Sequence, residues 1–325
     1  ANKVGPLLPA DRVEQFAAAL GVPAQLLDGA GESQIVAPDG TVLAQAPRAG
    51  EAVVVADVDL ASVAPVRRSR RRPELYTSLA EERTATPTPV EPGGVTVAAL
   101  SSVDQFDRAL AAGARLVVLP EFTEPPADLA EVAADVLVVS TALVDGAHVA
   151  RLTLGGDLLG EQRQLHHTDR HPGVSVLGDR LDVVDTELGR VAMLVGDDVL
   201  YPELGRMAAI DGCHILTVSH APTAEWEVRL GLPERGAENR VCVVAAAPPG
   251  PIGGTVLLSP PAASLWAPTP DEAYDGTINT PVAIEADGGA AIGPIHPDRA
   301  LRREISRDTD VVGGRPWQRS AALVG

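Results

Sequence analysis

Two clusters of polar residues in this chain could do chemistry, and so could its thiols. The run HHTDRH places His166, His167, Asp169 and His171 close together. Imidazoles and a carboxylate of this kind can ligate a metal. The plainer reading is a polar loop, and no metal is expected. Asp197, Asp198 and Glu203 form an acidic cluster beside Gly196, read as structural. The two cysteines, Cys213 and Cys242, lie at or within apolar strands and read as inert core, because a buried thiol behaves as a small hydrophobe. Glu121 ends the apolar run ARLVVLPEF, where its plain reading is a strand-end carboxylate capping the next turn. The 26 basic residues include a single lysine, Lys3. GxGxxG and P-loop patterns are absent, so no nucleotide and no other cofactor is expected.

These residues must be positioned by the elements around them. From Val95 onward, apolar strands alternate with helical patterns. Strands are predicted at 95–100, 115–119, 136–140, 148–154, 158–165, 191–195, 214–219 and 241–246. Helices are predicted at 103–112, 127–134, 201–210 and 225–234. This rhythm predicts an α/β layered fold with helices covering the sheets. The stretch TATPTPVEPGG (84–94) has neither period and reads as a linker. Before it, a helix is expected at 12–20 and a hairpin at 33–46 around a Pro-Asp-Gly turn. A buried strand is expected at 53–59.

Composition narrows the class. Hydrophobic residues make up 45% and aromatics 3%, so Val, Ala and Leu must fill the core. A net charge of −18 argues against nucleic acid or an anionic membrane as partner. The basic run Arg67, Arg68, Arg70, Arg71 and Arg72 reads as a solvated or salt-bridged segment. No apolar run approaches the ~18 residues of a membrane span, and two cysteines make no disulfide scaffold. A soluble, cytoplasmic chain is the expectation.

Several of these segments resemble the nitrilase (carbon–nitrogen hydrolase) superfamily. ARLVVLPEF is similar to that family's segment ending in a catalytic glutamate. GRVAMLVGDDVLYPELGR (189–206) resembles its nucleophile segment, and RGAENRVCVVAAAPPG (235–250) its Arg-Ala-x-Glu-Asn helix and following strand. GESQIVAPDGTVLAQ (31–45) and EAVVVADVDLASV (51–63) resemble the closing part of the same fold. The resemblance implies an internal repeat: residues 1–80 as the C-terminal portion of a first unit, 81–94 as linker, and 95–318 as a complete second unit. It also implies a four-layer α-β-β-α sandwich. The missing half of the first unit would lie upstream or on another chain.

Members of that family use a cysteine nucleophile, a glutamate base and acid, and a lysine that stabilises the oxyanion. An amide or nitrile carbon is a poor electrophile and needs both activation and a preorganised cation. The resemblance places Glu121 at the glutamate, Gln164 at the lysine and Gly196 at the cysteine. Glutamine carries no charge, and losing one oxyanion donor costs roughly 100- to 1,000-fold in rate. Glycine cannot attack at all. The expected function is therefore a degenerate carbon–nitrogen hydrolase unit supporting an amidase or nitrilase site elsewhere, paired with another nitrilase-like unit within the chain or in an oligomer. The alternatives are a pseudoenzyme scaffold and a hydrolase with non-cysteine chemistry at Glu121.

Overall fold

A computed structural model of the chain describes residue 18 and residues 33–37, 41–47, 51–59, 69–82, 84–85, 88–262, 281–306 and 309–324. The chain divides into two compact units, Ala1–Ser69 with Ala267–Ile278, and Arg70–Trp266 with Asn279–Gly325.

In the first unit the expected hairpin is present. Strands β1 (Gln34–Val36) and β2 (Val42–Gln45) pair antiparallel with Ile35 opposite Ala44. The predicted turn at 38–40 lies outside the described residues, as does the predicted helix at 12–20 apart from helical Ala18. The buried strand expected at 53–59 does not form. Val53 is 91% and Val55 83% exposed, and the run has no secondary structure. A strand is defined by its ladder, and no described strand pairs with this one, so β-branched composition alone does not bury it.

The second unit is a four-layer sandwich. One six-stranded sheet contains β3 (Val95–Leu100), β4 (Leu116–Val118), β5 (Leu137–Val144), β6 (Ala147–Leu154), β7 (Asp157–Arg163) and β14 (Ala290–Ile295), in the order β14-β3-β4-β5-β6-β7. The other contains β8 (Val183–Thr186), β9 (Gly189–Val195), β10 (Ile215–Ser219), β11 (Cys242–Ala246), β12 (Val256–Ser259) and β13 (Val282–Glu285), in the order β13-β12-β11-β10-β9-β8. In each, three central strands run parallel and the flanking strands antiparallel.

Period-2 alternation builds the layers. Val97, Val118, Val139, Val191, Met193 and Val244 point between the sheets. Leu100, Val117 and Val138 point outward onto helices α1 (Phe106–Ala111) and α2 (Leu129–Val132). On the far side Leu194, Leu216 and Val243 meet α3 (Pro202–Ile210) and α4 (Leu232–Asn239). Pro202 starts α3, where its missing N–H costs nothing. The helix predicted at 225–234 is instead a π-turn, Glu227–Gly231, followed by α4. Pro233 cannot donate back to the preceding turn, which disrupts a regular α ladder there.

Composition sets a break at the linker, whereas packing sets it between Ser69 and Arg70. Leu75, Tyr76 and Leu79 are buried in the same core as Leu204 and Leu216. No described helix is long and apolar enough to cross a membrane.

Candidate functional site

The site sits where strands of both sheets end. β4 runs through Leu119 and Pro120 into Glu121, and the Leu119 carbonyl accepts a hydrogen bond from Ser219 Oγ at 2.8 Å, tying it to the end of β10 in the other sheet. Phe122 then turns sharply at φ +53°, its amide donating to Thr141 Oγ1 of β5 at 2.7 Å. The chain thus changes direction at the strand end and leaves the Glu121 side chain only 5% exposed.

Gly196 ends β9 in the same way. Its φ of +62° favours glycine, and there is no room for a side chain either. A Cβ built there would lie 2.8 Å from His171 Cε1, 3.1 Å from Glu121 Oε1 and 3.2 Å from Gln164 Oε1. The three residues singled out in the sequence, Glu121, Gln164 and Gly196, therefore converge on one point. His171 fills the space into which a residue at 196 would project.

The hydrogen bonds fix the protons. Gln164 Nε2 donates to the His166 carbonyl at 2.7 Å, which sets the amide orientation. Its Oε1 then accepts from His171 Nδ1 at 3.0 Å and from His148 Nδ1 at 3.1 Å. With Nδ1–H committed on both rings, His171 Nε2 faces Glu121 Oε2 at 3.1 Å. One proton is shared across that contact. Burial pushes the Glu121 carboxyl above its ordinary range, partly opposed by His171. Burial pulls His171 down, but its hydrogen bond to Glu121 and that residue's charge together raise it. His148 is fully buried, which lowers its pKa to about 4.

A second histidine–carboxylate pair holds the loop after β7. Asp198 accepts from Leu165 N at 2.7 Å, His166 N at 2.9 Å and His166 Nδ1 at 2.9 Å. Burial raises the Asp198 carboxyl, and these donors oppose the rise. Tyr76 Oη receives the Arg72 amide at 3.3 Å and meets His166 Nε2 at 2.6 Å. The Tyr201 ring stacks on His166 with centroids 3.6 Å apart. Every polar atom of this pair has a partner.

The sequence groupings come apart in space. In HHTDRH, His166 joins Asp198, exposed His167 stays out, Asp169 pairs with Arg70 at 2.6 Å, and His171 joins Glu121. The acidic cluster is dispersed too: Asp197 meets Thr168 and Arg170, Asp198 meets His166, and Glu203 meets Arg71. The arginine run is salt-bridged where described, with Arg72 also donating to the Leu165 and Gly178 carbonyls; Arg67 and Arg68 lie outside the described residues. Arg170, whose charge reaches Glu121, is itself held bidentate by buried Glu227 at 2.7 and 3.1 Å.

Cys213 and Cys242 are buried, with burial pushing both thiols up to about 12, so neither is a nucleophile at neutral pH. Sequence reading missed His148. Its signal is a histidine within the apolar start of β6, at the position whose carbonyl receives the Gln164 backbone amide. What the cluster offers chemically is a shared proton and a buried carboxylate oxygen, Glu121 Oε1, with no hydrogen-bond partner. One ring nitrogen of His148, one of His171 and one Glu121 oxygen also lie within 4.8 Å of one another.

The carbon–nitrogen hydrolase family model matches residues 6–68 and 148–272. No curated protein matches the chain in sequence. Among solved structures, the chain is similar to an alanine mutant of the Nesterenkonia AN1 amidase from the nitrilase superfamily, at 18% identity and a TM-score of 0.45, covering 67% of this chain and 97% of that one. It is also similar to Saccharomyces cerevisiae Nit3, of branch 10 of that superfamily, at 14% identity and a TM-score of 0.47, covering 66% and 94%. With more than half its length matched by the family model, this chain belongs to the carbon–nitrogen hydrolase family.

Proposed function

We propose that this chain keeps the scaffold of a carbon–nitrogen hydrolase without its covalent reaction. It would serve as a non-catalytic unit paired with another nitrilase-like unit, on the same polypeptide or on a partner chain, that carries the amidase or nitrilase site. One observation carries this reading. Gly196, at the position that the family resemblance gives to the nucleophile, has a left-handed backbone, and the His171 ring occupies the space of its missing side chain. The uncharged amide of Gln164, already committed to three partners, supports it from the oxyanion side. The two stretches matched by the family model lie on either side of the linker, which supports the tandem arrangement. Two free, buried thiols suit a cytoplasmic setting.

The test is the intact mass of the purified chain after incubation with short amides and nitriles. This reading expects no acyl adduct. It also expects none in the single variant Gly196→Cys, because a cysteine Cβ would meet at 2.8 Å the His171 ring that Gln164 still holds. A wild-type adduct at any residue of the cluster would overturn it. The Glu121–His171 contact favours a second reading, in which Glu121 activates water directly. That reading expects ammonia release with no adduct.

A further inference from the structure

We propose that Glu121, His148 and His171 bind one divalent transition-metal ion, with Zn²⁺ the ion best suited to two imidazoles and a carboxylate. Each residue offers one ligand atom, all within 4.8 Å of one another, and they come from three separate segments: the end of β4, β6 and the loop after β7. Tetrahedral Zn²⁺ holds N and O ligands at about 2.0–2.2 Å, so its ligands stand roughly 3.3 Å apart. Side-chain rotation would have to draw these atoms together by up to about 1.5 Å, a modest closure for two rings and a carboxylate.

Three independent features point to a ligand here. Glu121 Oε1 belongs to a side chain that is 95% buried, has no hydrogen-bond partner, and faces the edge of the His171 ring beside Gly196. His148 is fully buried, and its Nε2 has no partner. Leaving such buried groups unpaired opposes folding, and a bound cation would satisfy both. Third, Gln164 Oε1 accepts the Nδ1–H of both imidazoles. Metal-ligating histidines characteristically donate one ring N–H to an oxygen acceptor, which fixes the tautomer and leaves the other nitrogen free to ligate. Gln164 does this for two rings at once. A lysine there could accept from neither, so the same substitution that removes the oxyanion cation makes a support for two metal-ligating rings. Zn²⁺ accepts imidazole and carboxylate together, whereas Mg²⁺ and Ca²⁺ select oxygen.

The proposal concerns ion binding and is independent of whether the chain turns over amides. Its test uses the whole chain, stripped with a chelator and titrated with ZnCl₂ by calorimetry, and with Co²⁺ by visible absorption. The expected result is one ion per chain. Affinity should fall at least tenfold in each of Glu121→Gln, His148→Gln and His171→Gln, and stay unchanged in His167→Gln, which alters an exposed histidine of the same loop. The Co²⁺ complex should show d–d bands without a thiolate charge-transfer band. Should any variant fail to fold, as judged by circular dichroism, the wild-type stoichiometry and Co²⁺ spectrum decide the matter. No binding, binding undiminished in the folded variants, or a thiolate band would each overturn the proposal.

Discussion

Two histidine–carboxylate pairs lie within this one site, and they are built to opposite standards. His166 and Asp198 meet at 2.9 Å, with the other ring nitrogen bonded to Tyr76, both oxygens engaged by backbone amides, and Tyr201 stacked on the ring. His171 and Glu121 meet at 3.1 Å, yet Glu121 keeps a buried oxygen without a partner and leans over a glycine that has no space for a side chain. A satisfied buried pair holds a loop in place. An unsatisfied one is a cost that structure alone does not explain, and such costs concentrate where a fold has kept a site.

That contrast can be broken by substitution. Asp198→Asn turns an acceptor of three hydrogen bonds into a group with a donor facing donors, and should destabilise the fold by about 3–5 kcal/mol in urea denaturation. Gly196→Ala forces a left-handed alanine against His171 and should cost about 2–4 kcal/mol by the same measurement. Tyr76→Phe leaves His166 Nε2 without its partner and should cost about 1–3 kcal/mol. It also tests whether residues 70–80 are part of the sandwich. Glu121→Gln should act in the other direction, stabilising by about 1 kcal/mol at pH 7.

The sign of that last effect with pH sharpens the contrast further. Folding raises the Glu121 pKa through burial, so the carboxyl carries no penalty below its unfolded value of about 4.3 and a growing one as pH rises through its folded value. His171 is raised by Glu121, so its contribution is present below about 6.5 and fades above. Both make the advantage of Glu121→Gln in chelated protein shrink as pH falls from 7 toward 4. An advantage that grew on acidification would break the comparison.

The layers were legible because they rest on local pattern. Near-continuous apolar runs in VTVAAL and VAMLV announce strands buried on both faces, and Glu121 and Gly196 are recognisable as strand ends. What escaped depends on distance in sequence. His148 acquires its role only when β6 pairs with β7 and brings Gln164 alongside. Asp169 and His171, two residues apart, point to different partners because the loop turns between them. Val53 and Val55 read as buried because β-propensity is a statement about fitting a sheet, and it says nothing of whether a sheet is there to join.

The central claim is that this site has the family's scaffold without its reaction, and ammonia release tests it most directly. The wild-type chain and Glu121→Ala, both shown to be folded, are compared across a panel of short amides and nitriles. The account predicts no release from either above the uncatalysed rate. Turnover by the wild type that disappears in Glu121→Ala would contradict it.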